Sequence, residues 1–244
     1  MEEYDLNAGN APFEEKISDL EVYFRTKKIG KPEAKVLLES KIKKVFKKAS
    51  GVDVKHLDVT EYYEPYIYIL GKYRIVYLKR EPIDLSISHE VVGAKVCPDC
   101  DRVYEIGEPR EGEEKKKRKL PIEVVLKLIH QSGDADLAFD ASGKEMDPKK
   151  IIEWKKEKAP SDFLEQNKDR IRRFSVTSQE AIDRLRKKIA IRPADTRRIL
   201  EEIFEITDNE IVLHPVFIYT LQYHDETKKV QIDCITENFQ VLRQ

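Results

Sequence analysis

Two cysteines spaced by two residues are the most specific chemical signal in this sequence. Cys97 and Cys100 lie in the segment C-P-D-C, and that spacing lets a tight turn present two thiolates to one tetrahedral zinc ion. Zinc needs four ligands, and the chain has no second C-x-x-C pair. His89 is the candidate third ligand, and Cys234, His130 or a second copy of the chain could complete the set. Zinc is therefore a candidate cofactor, and it would join a homodimer if two chains shared it.

The same cysteine pair has two other interpretations. A redox C-x-x-C motif usually opens a helix that follows a strand, whereas the residues after this pair, at 102–104, are strand-like. A plain turn with two free thiols is the remaining alternative. The chain has three cysteines in all, and an odd number argues against a disulfide framework.

Two basic segments could contact the phosphates of a nucleic acid. One is K-K-K-R-K at residues 115–119, directly after the acidic E-G-E-E at 111–114, and the other is R-I-R-R at 170–173. The candidate nucleic-acid-binding residues are Lys115, Lys116, Lys117, Arg118, Lys119, Arg170, Arg172 and Arg173. A solvated linker and an exposed helix surface are the respective alternatives. Because the net charge is −1, binding would depend on local patches and not on the field of the whole molecule.

Aromatic residues are dense in E-Y-Y-E-P-Y-I-Y-I-L, at residues 61–70. Side chains alternate along a strand, so Tyr66 and Tyr68 share one face. A later segment, N-E-I-V-L-H-P-V-F-I-Y-T-L, keeps the same parity with Phe217 and Tyr219. Aromatic side chains exposed on a sheet can stack on bases or form a protein interface. These four residues are therefore candidate interface residues, with packing in a core as the alternative.

Carboxylates offer a route to metal-dependent catalysis. Asp84, Asp233 and the aspartates of residues 136–140 could hold a metal in an enzyme acting on nucleic acid, provided that folding brought them within several ångströms. Capping of turns or pairing with lysine is the simpler interpretation. The sequence contains none of the motifs GxxxxGK[ST] (the phosphate loop), GxGxxG, HExxH and GxSxG. It therefore gives no support for the enzyme classes that these motifs identify.

The elements that would position these residues are predicted to occur twice. Hydrophobic spacings of three and four predict helices in both halves and in the centre, and β-branched and aromatic runs predict strands. The predicted helices cover residues 13–24, 36–46, 120–130, 181–189 (after a capping box T-S-Q-E) and 199–204. The predicted strands cover residues 62–70, 73–78, 83–96, 211–213, 216–223, 229–235 and 239–242, with a tight turn at Gly71 between the first two.

Similar landmarks recur in the same order, which indicates an internal duplication. Pro65 and Asp84 correspond in spacing to Pro215 and Asp233. The predicted fold is α+β: two tandem copies of a helix-helix-antiparallel-sheet module, separated by a charged, partly helical central insertion. The expected domains are a flexible N-terminal arm at 1–11, a first module at 12–96, a central CPDC knuckle, charged linker and helical region at 97–174, and a second module at 175–244.

Composition narrows the class of protein. Charged residues make up 37% of the chain, and five Asn and seven Gln are few, a bias typical of proteins from hot environments. The acidic N-terminus is unlike a secretory signal and no apolar run approaches a membrane span, so a cytoplasmic protein without a membrane partner is expected.

Taken together, the patterns favour a non-catalytic binding or assembly factor. It would bridge or clamp a ribonucleoprotein, such as a ribosomal subunit, or a protein partner, and would form a homodimer; no small-molecule substrate is predicted. A metal-dependent enzyme acting on nucleic acid and a zinc-stapled structural oligomer are the alternatives.

Overall fold

The computed structural model of the protein describes residues 4–47, 53–96, 103–107 and 117–242. The strands are β1 Phe13–Ile17, β2 Glu21–Arg25, β3 Lys55–Ile87, β4 Gly93–Ala94, β5 Tyr104–Glu105, β6 Arg118–Gln131, β7 Ala135–Phe139, β8 Glu145–Met146, β9 Lys156–Lys158, β10 Arg198–Tyr223, β11 Glu226–Asp233 and β12 Phe239–Leu242. The helices are α1 Lys31–Ser40, α2 Ile42–Val45, α3 Pro148–Ile152, α4 Phe163–Gln166 and α5 Ser178–Ile189.

Ten of these strands belong to one mixed sheet. Its main order is β12-β11-β10-β3-β7-β8, with β1 and β2 on β10, β9 on β2, and β6 on β3, while β4 and β5 form a separate pair. The β2–β10 pairing is parallel, and β10–β11, β11–β12 and β3–β7 are antiparallel. The fold is mostly β, with 50% strand and 18% helix. The prediction of two tandem α+β modules is therefore wrong.

The apparent repeat corresponds to two long strands. Pro65 lies within β3 and Pro215 within β10, and these strands are neighbours in the sheet. Both carry a run of buried residues rich in β-branched and aromatic side chains. The similarity between the two segments thus reflects two long central strands with the same alternation, and not two copies of a helix-helix-sheet module.

The structure divides into two compact units, and β3 and β10 contribute residues to each. Unit 1 consists of Met1–Phe13, Arg74–His130 and Arg192–Glu202. Unit 2 consists of Glu14–Tyr73, Gln131–Ile191 and Ile203–Gln244.

Unit 1 is built on the second half of β3, the strand β6 and the start of β10. Its N-terminal segment, predicted to be a flexible arm, is hydrogen-bonded to β10: the Asn10 side chain accepts from the Ile199 N–H at 2.8 Å, and the Ala11 N–H donates to the Ile199 carbonyl at 2.8 Å. Arg192 donates two bonds of 2.7 Å to the buried Glu202 carboxylate. This charged pair satisfies a carboxylate whose burial would otherwise be costly.

Unit 2 has a core in which two short helices cover the β10–β11 hairpin. Pro32 in the first turn and the Glu33 carboxylate, which accepts from the Gly30 N–H at 3.0 Å, favour the start of α1. The helical residues of this core are Ala34, Leu38, Ile42 and Val45, which cluster with Phe46, Phe217, Tyr219, Leu221, Val230, Ile232 and Cys234. The predicted helix at 36–46 is confirmed as α1 and α2.

Helix α5 is also confirmed, and its start is the predicted capping box. The Thr177 hydroxyl accepts from the Glu180 N–H at 3.2 Å, and the Glu180 carboxylate accepts from the Thr177 N–H at 2.7 Å. Ala181, Ile182 and Leu185 form its buried face. None of the helices in the described part of the chain has the length and apolar character needed to cross a membrane.

Three predicted helices are strands. Residues 13–24 form β1 and β2, residues 120–130 lie in β6, and residues 199–204 begin β10. The apolar spacing of four used to predict the first helix also places side chains on one face of a strand, because four is a multiple of two. In β10 the buried residues Glu202, Phe204 and Ile206 follow the period of two.

The predicted turn at Gly71 is wrong as well, because β3 runs through it without a break. Gly71 pairs with Ala135 of β7. A Cβ at this position would lie 2.7 Å from the Glu205 carbonyl oxygen and 2.9 Å from Ile206 Cδ1. The glycine is therefore needed for close approach to β10, and it has no role in reversing the chain.

Candidate nucleic-acid interface

A pocket with a basic rim lies in unit 2, between α2 and the β10–β11 hairpin. Its volume is about 500 Å³. It is lined by Lys44, Val45, Phe46, Lys47, Tyr223, Glu226, Lys228 and Val241, and we call this set the lysine pocket. Three lysines against one glutamate give its lining a net positive charge, although the whole chain carries −1.

Helix α2 positions the lysines by burying its apolar residues. Ile42 and Val45 are 3% exposed and pack in the core. Lys43 and Lys44 lie between them in sequence and are exposed. Lys47 follows the buried Phe46 and is also exposed. The same packing that fixes the helix on the sheet therefore turns a row of ammonium groups towards solvent.

The opposite wall of the pocket comes from the end of the β10–β11 hairpin. Tyr223 pairs with Glu226 as the last residue pair of the ladder. The two-residue turn between them includes His224, whose positive φ of 51° is typical of tight hairpin turns. The His224 ring lies 4.2 Å from the Tyr223 ring, centroid to centroid. The turn thus holds Tyr223 at the edge of the pocket.

Two aromatic rings and one ion pair fix the side chains at the bottom of the lysine pocket. The Phe46 and Tyr223 rings lie 5.5 Å apart at an interplanar angle of 40°. Lys228 Nζ lies 5.0 Å from the Phe46 ring centre, donates to the Val45 carbonyl at 2.9 Å and pairs with Glu226 at 2.8 Å. Within the described residues, neither Lys44 nor Lys47 forms an ion pair. Two ammonium groups beside an aromatic surface can hold a phosphate while a base contacts the ring.

The predicted segment K-K-K-R-K is only partly described, since Lys115 and Lys116 lie outside the described residues. Arg118 donates to the Gly107 carbonyl at 2.9 Å and to the Ile106 carbonyl at 2.7 Å. Lys119 pairs with Asp84 at 3.2 Å. Lys117 is exposed and lines a pocket of about 460 Å³ in unit 1 with Arg118 and Lys119. The Arg118 guanidinium is therefore engaged by backbone carbonyls of unit 1.

The second segment, R-I-R-R, lies in unit 2, and its arginines differ in their contacts. Arg172 donates to Glu64 at 2.6 Å and to Gln231 Oε1 at 2.7 Å, and Gln231 Nε2 donates to Glu64 at 2.9 Å. Arg173 is exposed in a cleft of about 410 Å³ that is lined by Glu64, Tyr66, Asp140, Ala141, Ser142, Arg172 and Arg173. Arg170 is exposed. Two acidic and two basic side chains balance in this cleft, so it attracts a phosphate less than the lysine pocket does.

Three of the four candidate interface aromatics are buried inside unit 2. Tyr68 is 5% exposed, Phe217 1% and Tyr219 3%. The Tyr219 hydroxyl donates to the Lys31 carbonyl at 3.2 Å. Only Tyr66 reaches the cleft, and burial together with the nearby Glu64 raises the pKa of its phenol to about 12. The packing of the other three is accounted for within one chain.

A buried polar array lies beside Tyr66. Arg25 Nη1 donates to His214 Nδ1 at 2.8 Å, so the imidazole carries its proton on Nε2 and donates it to Asp233 Oδ1 at 2.9 Å. Burial raises the pKa of Asp233, but hydrogen bonds from His214 and Thr236 outweigh burial and hold that pKa well below its ordinary value. The Arg25 guanidinium stacks 3.9 Å from the Trp154 ring centre. Both nitrogens of His214 are thus committed to partners within the chain.

The described residues include only part of the predicted zinc site. Cys97 and Cys100 lie outside the described residues, so a zinc site there stays a prediction. His89 Nε2 lies 3.8 Å from Glu90. Cys234 belongs to the unit 2 core, and burial raises the pKa of its thiol to about 12. Within the described ranges, no group of three or more His, Cys, Asp and Glu side chains could hold a metal ion.

The sequence does contain a signal for the lysine pocket. Residues 40–48 read S-K-I-K-K-V-F-K-K, in which the apolar positions predict a helix and the lysines between them form a basic run. Lys228 is more than 180 residues away from Lys44 in the chain, so the second wall of the pocket could not be anticipated.

Comparison with protein-family models, with curated proteins and with solved structures finds no match to this chain.

Proposed function

We propose that this protein is a non-catalytic binding protein that holds RNA through the lysine pocket, as a component or a ligand of a ribonucleoprotein. The observation that carries the proposal is the combination of Lys44 and Lys47, which form no ion pair among the residues that the structure describes, with the Phe46–Tyr223 ring pair. Phosphates supply the anion for the ammonium groups, and bases supply the planar surface for the ring of Tyr223.

The arrangement of the buried histidine favours binding over catalysis. A general base needs a free nitrogen within hydrogen-bond reach of the proton that it removes. His214 uses one nitrogen to accept from Arg25 and the other to donate to Asp233. The array therefore supports a structural role, in which the buried His214 orients the partly buried charges of Arg25 and Asp233.

A binding titration with paired variants tests the proposal. The probe is a fluorescein-labelled single-stranded RNA of mixed sequence, and the readout is fluorescence anisotropy over a range of salt concentrations. The pocket variant carries Lys44→Glu and Lys47→Glu. The matched control carries Lys149→Glu and Lys150→Glu, which change the net charge equally on exposed positions of α3 in the same unit.

The expected result separates local contacts from bulk charge. Each lost phosphate contact lowers the slope of log affinity against log salt by about 0.7 for a single strand, so the pocket variant should lose about 1.4 in slope and bind at least tenfold more weakly. The control should stay close to wild type. Equal weakening in both variants would assign binding to net charge alone, and absence of binding by the wild type would overturn the proposal.

Three further variants locate additional contacts. Tyr223→Ala should weaken binding by about 1–3 kcal/mol, the value of one base–aromatic stack. Replacing Arg170 and Arg173 by glutamate tests the R-I-R-R segment, and replacing Lys117 and Lys119 tests the described part of K-K-K-R-K. Loss of affinity in these arginine or lysine variants, with none in the Lys44 and Lys47 variant, would move the interface to the segments named from sequence.

A further inference from the structure

The cleft beside Arg173 in unit 2, which we call the Tyr66 cleft, is a second candidate binding site. Its volume of about 410 Å³ lies within the range of roughly 300–1,000 Å³ that is usual for small-ligand sites. The charges of its two acidic and two basic side chains sum to zero. A ligand that is neutral overall, with separate groups of hydrogen-bond donors and acceptors, therefore suits this cleft better than an anion does.

The two carboxylates of the cleft each keep one oxygen that accepts no hydrogen bond from the described residues. Glu64 Oε1 accepts from Arg172 at 2.6 Å and from Gln231 at 2.9 Å. Asp140 Oδ1 accepts three bonds of 2.6, 2.9 and 3.0 Å from the loop that follows it, at 142–144. Burial alone would raise the pKa of Asp140, but the bonds from this loop hold that pKa below its ordinary value. Glu64 Oε2 and Asp140 Oδ2 are therefore the acceptors left for a ligand.

Two other groups of the cleft can donate. The Tyr66 hydroxyl has no hydrogen-bond partner in the described part of the chain, and burial, together with the nearby Glu64, raises its pKa to about 12, so it stays protonated at neutral pH. The Tyr66 ring is held by the Trp154 ring, 5.0 Å away at 86°, and by the His214 ring at 5.8 Å. Arg173 is exposed and forms no ion pair among the described residues, so its guanidinium is available to donate two parallel N–H groups.

We infer that the Tyr66 cleft binds a guanine base; the inference rests on the proposed function, in which this base belongs to the RNA. Guanine has two adjacent donors on its Watson–Crick edge, N1–H and N2–H, for the two carboxylate oxygens. It also has two adjacent acceptors, O6 and N7, that match the fork of an arginine. Adenine lacks the paired acceptors, and cytosine and uracil lack the second donor. Two acceptors combined with one arginine therefore select guanine.

The Tyr66 cleft and the lysine pocket are separate sites of unit 2. Gln231 of β11 bonds to Arg172 and Glu64 in the cleft. Lys228 of the same strand lines the lysine pocket. These two residues of β11 are three positions apart, and side chains alternate between the two faces of a sheet, so they point to opposite faces. Each site can therefore be altered without touching the other.

Calorimetric titration of the full chain with guanosine, adenosine, cytidine and uridine monophosphates (GMP, AMP, CMP and UMP) tests the cleft in the absence of RNA. GMP should bind about tenfold more tightly than each of the others, since one bidentate contact to a base discriminates by about that factor. Inosine monophosphate, which lacks the N2 amino group, should bind several-fold more weakly than GMP. Equal affinity for GMP and AMP, or no binding of GMP at millimolar concentration, would overturn the inference. Tighter binding of a free amino acid than of GMP would do the same, and would assign the cleft to zwitterionic small molecules.

Two substitutions assign the selectivity to the cleft. Asp140→Asn keeps Oδ1 for the loop and replaces the remaining oxygen by an amide donor, so GMP should bind about tenfold more weakly while the affinity for AMP is unchanged. Arg173→Lys keeps the charge but loses the fork, so it should weaken GMP binding several-fold. The matched control is Arg170→Lys, at an exposed arginine outside the lining of the cleft, and it should bind GMP as the wild type does. A preference for GMP over AMP that survives both cleft substitutions would refute the inference.

The variant with Lys44→Glu and Lys47→Glu separates this inference from the proposed function. It should keep the preference for GMP, because its changes lie outside the cleft, and loss of that preference would contradict a guanine site at Tyr66. RNA binding through the lysine pocket with equal affinity for oligomers that carry G or A would refute the inference alone. Selective GMP binding by a protein that binds no RNA would refute the proposed function alone and would confirm the guanine site.

Discussion

Replacing Gly71 by alanine tests the close approach of β3 to β10 in unit 2. The new Cβ would lie 2.7 Å from the Glu205 carbonyl oxygen, 2.9 Å from Ile206 Cδ1 and 3.1 Å from Leu185 Cδ2. Favourable carbon contacts begin at about 3.5 Å. The side chains can rotate away, but the carbonyl belongs to a strand that is paired in the sheet. The backbone of β10 must therefore shift.

The expected cost is about 2 kcal/mol. Overpacking a filled interior costs about 1–3 kcal/mol, and a backbone obstacle places this site near the upper end. Alanine also restricts the unfolded chain, which returns about 0.4–1 kcal/mol. Gly133→Ala is the matched control, because no atom lies within 4 Å of its Cβ position. That control should be neutral or slightly stabilising.

Urea unfolding followed by the fluorescence of Trp154, the single tryptophan, measures both variants. The midpoint of Gly71→Ala should fall without a change in slope, since the surface exposed on unfolding is the same. A Gly71→Ala variant as stable as Gly133→Ala, within about 0.5 kcal/mol, would refute the argument that the strands meet at this glycine.

Two further predictions concern α5 and the buried array. Thr177→Ala removes the hydroxyl that caps the Glu180 N–H and should lower the free energy of unfolding by about 1 kcal/mol. A thermal melt measures this change. An unchanged melting midpoint would mean that the cap contributes nothing to stability. Asp233 has a folded pKa below its ordinary value of 3.8, so it contributes stability above pH 3.8 that is lost as pH falls towards the folded pKa. Asp233→Asn should remove that acid-side loss, and urea unfolding between pH 6 and pH 3 measures it; an unchanged pH dependence would mean that the His214 bond does not bias the titration.

The parts of the fold that sequence predicted correctly are those with local signals. Helix α5 has a capping box and a buried face at helical spacing, and α1 has a proline in its first turn. Each of these signals involves only a few neighbouring residues, so the helix can be predicted without knowledge of the rest of the chain. The terminal strand β12 has the predicted limits, 239–242, because short β-branched and aromatic runs between turns have few alternatives.

The errors arise where a pattern fits two periods. Phe13 and Ile17 are four residues apart, which suits a helix and a strand equally. The sequence predicts a turn at Gly71, because glycine often reverses a chain. Its actual role depends on Glu205, a residue more than 130 positions away. A contact between residues far apart in the chain therefore determines the conformation here, and the sequence around Gly71 contains no pattern that indicates this contact.

The residues of the lysine pocket likewise include some with a local sequence signal and some without one. The row of lysines from residue 41 to 47 is visible in the sequence, whereas its aromatic and basic counterparts, Tyr223 and Lys228, join it only through the packing of α2 on the hairpin. The density of charge marks the basic runs in the sequence, but the partner of each side chain depends on the fold. Arg172 donates to Glu64 and Arg118 donates to the Gly107 carbonyl.

The length of β3 restricts which genetic changes the protein can accept. Side chains point alternately to the two faces along a strand, and β3 is 33 residues long with its buried positions between residues 65 and 78. Loss or gain of one codon in its middle would exchange the two directions for every later residue of the strand, unless a bulge absorbed the change. Natural variants of this gene should therefore differ in β3 by substitution, while changes in length collect in the connections between strands. A library of single-codon deletions, scored for folded protein, would show a continuous intolerant segment across β3.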